Sequence, residues 1–147
     1  MEKILLKAKL RHPMRTNNDM AMKIISTKTH AIFDYILGIL LILSPWLWDA
    51  SAVGIESLIP VILGVSILSI SLMTNFEVSV LKIIPMKTHL IIDFFAGIFL
   101  AASPWLFGFK TIVYMPHIVF GLIIFLSAIV TSSKPTDKSN NSSLIET

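Results

Sequence analysis

Four ionisable side chains recur as two His-x-x-x-Asp pairs inside strongly apolar stretches of the chain. The pairs are His30 with Asp34 and His89 with Asp93. A spacing of four residues places the two side chains of a pair on the same face of a helix. Ionisable groups within an apolar helix indicate a functional site and require a partner. The pattern favours a mutual hydrogen-bonded clamp between the two pairs, and the alternative is proton or small-ion handling by Asp34 and Asp93.

Metal and haem ligation are the other chemistries that histidine and aspartate can support. Two histidines and two aspartates are a common count, and their spacing is not diagnostic of any metal. Haem would need His30 and His89 on opposite sides of one iron, whereas both helices begin at the same face beside large aromatic side chains. The chain has no cysteine, which excludes disulfides and thiolate ligands. We therefore expect no metal and no cofactor.

The tripeptide Ser-Pro-Trp occurs twice, as Ser44, Pro45 and Trp46 and as Ser103, Pro104 and Trp105. Proline disfavours helical geometry in the residue before it, so each serine is expected to be extended. Proline also leaves a carbonyl one turn earlier without its amide partner, and the serine hydroxyl is well placed to satisfy that carbonyl. The tryptophans fall at a membrane boundary, where an indole buries its ring and still donates a hydrogen bond. The motif predicts a kinked, anchored helix end, and the alternative is a ligand groove lined by Trp46, Trp48, Trp105 and Phe107.

The elements that carry these residues are long and apolar. Hydrophobic residues make up 54% of the 147 residues and charged residues only 14%, whereas a soluble domain carries about a quarter of its residues as charges. Four stretches, at approximately 29–48, 57–76, 89–107 and 111–130, supply the roughly 20 apolar residues that a membrane span needs. A soluble bundle would show polar stripes at helical spacing, which segments such as LIPVILGVSILSISLM lack. The sequence predicts an all-α membrane protein with four transmembrane helices.

The first and third predicted helices repeat one another. KTHAIFDYILGILLILSPWLW (28–48) and KTHLIIDFFAGIFLAASPWLF (87–107) are identical at 12 of 21 positions without a gap. The second and fourth helices match more weakly, around Gly64 and Gly121. Each repeat is a helical hairpin, and two hairpins with an even number of spans have parallel topology. Gly38, Gly97, Gly64 and Gly121 are interpreted as points where helix backbones approach closely.

Each hairpin carries H-x-x-x-D, then glycine, then Ser-Pro-Trp near the far end of its first helix. This combination resembles the SPW repeat family of small bacterial membrane proteins. The residues that carry the resemblance are His30, Asp34, Gly38, Ser44, Pro45 and Trp46, followed by His89, Asp93, Gly97, Ser103, Pro104 and Trp105. The resemblance covers residues 24–130 and implies two spanning helices per repeat. It carries over no catalytic residue.

The distribution of lysine and arginine predicts the orientation of the helices. Of the 12 cations, Lys110 alone lies between the first and second helices or between the third and fourth. Positive flanks stay in the cytoplasm, so both termini are predicted to be cytoplasmic. The resemblance to a family of bacterial membrane proteins implies that the membrane is the plasma (inner) membrane of a bacterium. These flanks account for the pI of about 9.3 and would contact anionic lipid headgroups, so no nucleic-acid partner is expected.

The predicted organisation is a basic cytoplasmic arm (1–23), a first repeat (24–76), a cytoplasmic loop (77–88), a second repeat (89–130) and a disordered cytoplasmic tail (131–147) rich in serine and asparagine. No signal peptide is expected, because the first 15 residues contain a charge every few positions and no apolar core of the required length. Translation from Met22 instead of Met1 would remove no membrane segment. His117 is interpreted as a residue of the membrane interface.

The motifs include no phosphate-binding loop and no nucleophile elbow. This favours a non-enzymatic structural or accessory membrane protein, whose partners would be the lipid bilayer and either a second copy of the chain or another membrane protein. The alternative is a proton or small-ion or solute transporter that uses the His-x-x-x-Asp pairs. Four short helices leave little room for alternating access in one chain, so such a transporter would have to be oligomeric.

Overall fold

Four helices make up the part of the chain that the computed structural model describes, namely residues 24–48, 54–75 and 78–133. They are α1 (Thr27–Leu47), α2 (Ile55–Met73), α3 (Met86–Leu106) and α4 (Met115–Val130). Extended backbone pairing within these ranges is limited to two isolated bridges. The predicted all-α fold is therefore confirmed. The predicted arm (1–23) and the predicted tail beyond residue 133 lie outside the described residues.

The helix limits differ from the predicted ones at several ends. α2 ends at Met73 and not at residue 76, because Thr74 is extended and pairs with Ile84. α3 begins at Met86, inside the predicted loop (77–88). α4 begins at Met115 and not at residue 111, because turns precede it and Pro116 occupies its first turn, where a missing amide costs nothing.

The distribution of polar and apolar side chains fits a lipid environment. α1, α2 and α3 are each long and apolar enough to cross a membrane, and α4 is apolar but shorter, with 16 residues. Large apolar side chains cover the outer surface; Phe95 and Leu106, for example, are 64% and 65% exposed. The described histidines, together with Asp34, Asp93 and several serine and threonine residues, are buried instead. A soluble bundle has the opposite arrangement, with its polar face outward.

Glycines bring the two helices of each hairpin together. In the second hairpin, a Cβ atom at Gly97 would lie 2.6 Å from the backbone nitrogen of Phe125 and 2.7 Å from the carbonyl oxygen of Gly121. In the first hairpin, a Cβ atom at Gly64 would lie 2.6 Å from the carbonyl oxygen of Gly38. Such separations leave no room for a side chain, so the backbones approach closely at these positions.

Two parallel backbone bridges join the repeats at the end of the bundle where α1 and α3 begin, which we call the His/Asp end. Ile25, just before α1, pairs with Thr131, just after α4. Thr74, just after α2, pairs with Ile84, just before α3. The segment that leads into each repeat is thus paired with the segment that leaves the other repeat, and the two bridges are related by the internal symmetry.

Apolar side chains fill the bundle between its two ends. The buried set comprises Leu37, Leu41, Ile59, Ile67, Leu100, Phe109, Phe120 and Ile124. α1 packs against α2, and α3 against α4, along most of their length, whereas contacts between the two hairpins are sparser. The buried set draws on both hairpins, so the side chains of this shared core join the repeats together with the polar contacts at the His/Asp end.

Candidate functional site

The structure brings His30, Asp34, His89 and Asp93 together at the His/Asp end, in a group that we call the His/Asp cluster. In each pair, histidine and aspartate lie one turn apart on the inward face of their helix, as a spacing of four requires. The side chains are almost fully buried, with exposed fractions of 0% for both histidines, 5% for Asp34 and 2% for Asp93. The cluster is therefore an internal feature and not an open pocket.

Within the cluster, Nε2 of each histidine faces Oδ2 of both aspartates. Across the repeats, Nε2 of His30 lies 3.1 Å from Oδ2 of Asp93, and Nε2 of His89 lies 2.9 Å from Oδ2 of Asp34. Within the repeats, the same atoms are 3.5 Å apart for His30 and Asp34 and 2.9 Å apart for His89 and Asp93. The four atoms form a closed ring in which nitrogen and oxygen alternate, so each carboxylate contacts a histidine of both repeats.

Threonine hydroxyls contact the outer nitrogen of each histidine. Oγ1 of Thr131, which follows α4, lies 3.1 Å from Nδ1 of His30, and Oγ1 of Thr74, which follows α2, lies 2.9 Å from Nδ1 of His89. Each threonine donates its hydroxyl hydrogen to the carbonyl oxygen four residues earlier, at 2.6 Å and 2.7 Å respectively. The orientation of both imidazole rings is thereby fixed from the opposite repeat.

A serine makes the two halves of the cluster unequal. Oγ of Ser71 in α2 donates to Oδ2 of Asp34 at 2.9 Å. Gly64 and Gly121 occupy equivalent positions in the two repeats, 57 residues apart. At the same offset the position equivalent to Ser71 is Ala128, which has no hydroxyl. Asp34 therefore has a neutral donor from α2, and α4 offers Asp93 no equivalent at the matching position.

The Ser-Pro-Trp motifs lie at the opposite end of the bundle, which we call the SPW end. Oγ of Ser44 donates to the carbonyl oxygen of Leu41 at 2.8 Å, and Oγ of Ser103 to that of Leu100 at 2.7 Å. These carbonyls lie four residues before the two prolines, so they are the ones that the missing amides leave without a partner. The expectation of extended serines is wrong: both serines are helical, and their helices continue past the prolines because the hydroxyl replaces the lost donor.

Trp46 and Trp105 point away from the interior at the SPW end, with exposed fractions of 66% and 53%. Trp48 instead packs edge to face against Phe120, with ring centroids 5.7 Å apart. Trp48, one of the four rings considered for a ligand groove, lines a crevice of about 10 Å³. This is roughly the space that one water molecule needs. The outward rings of the two motifs fit contact with lipid better than enclosure of a ligand.

Trp46→Ala and Trp105→Ala are expected to reduce the amount of folded protein in the membrane several-fold, and to similar degrees, because the rings occupy equivalent exposed positions. Trp→Phe at either position should be milder, since only the N–H group is lost. Quantitative blotting of membrane fractions against an unrelated membrane protein measures both effects. Parental levels and parental melting of both alanine variants would refute the anchor and favour a binding surface.

A second polar contact between the repeats lies at the SPW end. His117, in the first turn of α4, is 4% exposed, and its Nε2 donates to the backbone carbonyl of Glu56 in α2 at 3.0 Å. Its ring also packs against Phe109, at 5.0 Å between centroids. The side chain of His117 therefore faces the interior of the bundle near the start of α4, and its position at the membrane interface stays a prediction.

Several residues around the cluster were not singled out from the sequence. Thr74 and Thr131 are 57 positions apart, which is the offset between Gly64 and Gly121. An alignment of the second and fourth helices carried to their ends would have paired these threonines. Ser71 has no counterpart in the other repeat, so no repeat signal identifies it.

The fold and the cluster define an integral membrane protein made of two parallel helical hairpins joined through a buried polar centre. The family model of the SPW repeat domain matches residues 28–131. This chain therefore belongs to the SPW repeat family, and the resemblance noted in the sequence is confirmed. Neither a curated protein nor a solved structure matches the chain.

Proposed function

We propose that this protein is a non-enzymatic structural or accessory component of a bacterial plasma membrane, and that the His/Asp cluster clamps its two repeats into one bundle. The observation that carries the proposal is the crossed pairing of His30 with Asp93 and of His89 with Asp34. These contacts join the hairpins through buried ionisable side chains, beside an apolar core to which both hairpins contribute. Burial of all four side chains also keeps substrates away from them, which favours a structural role over catalysis.

The surroundings of the bundle are part of the same proposal. The apolar outer surface would be covered by lipid, and by either a second copy of the chain or another membrane protein. Both termini would lie in the cytoplasm, because the cations concentrate in the segments before α1, between α2 and α3, and after α4.

The orientation predicts the activity of reporter fusions. A reporter that is active only outside the cytoplasm should be active when fused after Asp49 or Lys110, and silent when fused after Glu77 or Thr131. A cytoplasmic reporter at the same four positions is the matched control and should give the complementary pattern. Extracytoplasmic activity at Glu77 would overturn the orientation.

Proton or small-ion transport through an oligomer is the alternative, because the cluster places ionisable groups inside the bundle. The interior between the cluster and the SPW end counts against conduction through a single chain, since it is filled by Leu37, Leu41, Ile67, Leu100 and Ile124. Such a layer offers no partner to a proton or an ion.

A flux assay with purified protein in liposomes decides between the two roles. We expect proton flux equal to that of liposomes containing an unrelated membrane protein, because the apolar layer interrupts any polar path. The matched control is the Asp34→Asn/Asp93→Asn variant, reconstituted at the same protein-to-lipid ratio. Flux that is present in the parent and absent from this variant would establish transport in place of the structural role.

A further inference from the structure

The four facing atoms of the His/Asp cluster have the spacing of ligands around a single metal ion. One ligand atom from each residue lies within 4.8 Å of the others, and the four Nε2–Oδ2 separations range from 2.9 Å to 3.5 Å. Zinc bonds of about 2.0–2.2 Å to nitrogen and oxygen place neighbouring ligands of a tetrahedron roughly 3.3–3.6 Å apart. The four nitrogen–oxygen separations, which form four of the six edges of such a tetrahedron, therefore need to lengthen only slightly to match those of a zinc site.

The threonine hydroxyls determine where the hydrogens of the two imidazole rings lie. Thr131 donates its one hydroxyl hydrogen to a carbonyl of its own helix at 2.6 Å, so it can only accept a hydrogen from Nδ1 of His30. Thr74 donates to its own carbonyl at 2.7 Å and accepts in the same way from Nδ1 of His89. Both rings therefore carry a hydrogen on Nδ1.

A ring with a hydrogen on Nδ1 is neutral only when its Nε2 presents a lone pair. Here both Nε2 atoms face carboxylate oxygens, which are also acceptors, so positive charge is required between them. Two further protons would supply it, placed on the histidines to make them cationic or on the aspartates to make them neutral acids, and one divalent cation would supply it with both rings neutral. Either choice balances two carboxylates. The single ion also avoids two imidazolium rings with centroids 5.4 Å apart in a buried, weakly polar site.

We propose that His30, Asp34, His89 and Asp93 form a binding site for one divalent transition-metal ion, with zinc as the best fit. Two imidazole nitrogens and two carboxylate oxygens are a donor set that zinc accepts in tetrahedral geometry. Magnesium and calcium fit less well, because they bind six or more ligands and prefer oxygen.

The surroundings of the site support a structural ion. The Nδ1–H groups donate to threonine hydroxyls, and metal-bound histidines commonly donate their outer N–H in this way. All four coordination positions would be filled by protein, as in structural zinc sites, with none left open for a substrate. The inference rests on the proposed clamp, since the ion would lie at its centre and bind both repeats at once.

The test uses the full-length chain, purified in detergent without a polyhistidine tag, stripped with a chelator and reloaded with zinc chloride. Elemental analysis should find about one zinc ion per chain. Zinc at about 100 times its Kd should raise Tm by roughly 5–10 °C. Cobalt(II) in place of zinc should give the intense visible absorption of a tetrahedral complex.

Three variants separate this site from adventitious binding. Asp93→Asn should lose the bound zinc, whereas His117→Ala, which removes a buried histidine at the other end of the bundle, should retain it. Thr131→Val keeps all four ligands and should weaken zinc binding about 10- to 100-fold by removing the acceptor of one Nδ1–H. It also keeps the test decisive if Asp93→Asn does not fold.

A parent chain that takes up no zinc, that takes up as much zinc after Asp93→Asn as before, or that binds zinc with the same Kd after Thr131→Val would overturn the metal site. The clamp is tested separately, through the additivity of the two aspartate substitutions. Non-additive aspartates without metal would leave the clamp standing with protons in place of the ion. Bound zinc with strictly additive aspartates would refute the clamp.

Discussion

Asp93→Asn is expected to lower the free energy of unfolding in detergent by about 3–5 kcal/mol, because it leaves buried charges without their full set of partners. Both histidines lose a carboxylate at once, since Oδ2 of Asp93 lies 3.1 Å from Nε2 of His30 and 2.9 Å from that of His89. Thermal or chemical unfolding of purified protein in detergent measures the change.

Lys87→Gln is the matched control for this experiment. It removes a charge from the exposed first turn of α3, two residues before His89, and should change stability by less than about 0.5 kcal/mol. Asp34→Asn should be destabilising in the same range as Asp93→Asn, because its carboxylate contacts the same two histidines. Parental stability of either asparagine variant would show that the cluster contributes nothing to holding the bundle.

Gly97→Ala is expected to destabilise the protein by about 1–3 kcal/mol or more. The new Cβ would lie 2.6 Å from the backbone nitrogen of Phe125 and 2.7 Å from the carbonyl oxygen of Gly121. Backbone atoms cannot move aside without separating α3 from α4 along their line of contact. A fall in Tm and in the folded fraction after extraction would measure the loss.

Gly38→Ala, at the equivalent position of the first repeat, is the matched comparison. Its Cβ would lie 2.7 Å from the side chain of Leu68, which can change rotamer, and 3.2 Å from the carbonyl oxygen of Gly64. We expect a smaller loss than for Gly97→Ala. An equal loss of stability in the two variants, or a larger loss for Gly38→Ala, would contradict the closer backbone approach at Gly97.

The internal repeat made most of the fold predictable from the sequence. Two copies of KTH-x-I-x-D, Gly and Ser-Pro-Trp predict two similar hairpins, and the uninterrupted apolar stretches predict spanning helices. The start of α4 was not predicted, because hydropathy does not distinguish the apolar turns before Met115 from the helix itself. The end of α2 was not predicted either. Thr74 leaves the helix to pair with the backbone of Ile84, and hydropathy carries no information about such a contact between distant segments.

The candidate site was predictable in its residues but not in its connections. The spacing of His30 and Asp34 shows that they share a helix face, yet it does not say which histidine approaches which carboxylate. The crossed arrangement depends on how the two hairpins dock, and docking is set by packing across the bundle. The hydroxyl of Ser71 illustrates the same limit, because a lone serine in an apolar helix can equally bond to its own backbone, as Ser66 does with Ile62.

The most direct test of the clamp is a double-mutant cycle between the two aspartates, measured as the free energy of unfolding in detergent. Asp34→Asn, Asp93→Asn and the double variant are compared with the parent chain. Because the two carboxylates share both histidines, the double variant should lose less than the sum of the single losses, by about 0.5–3 kcal/mol. Strict additivity would mean that each aspartate acts alone and would contradict a clamp that joins the two repeats.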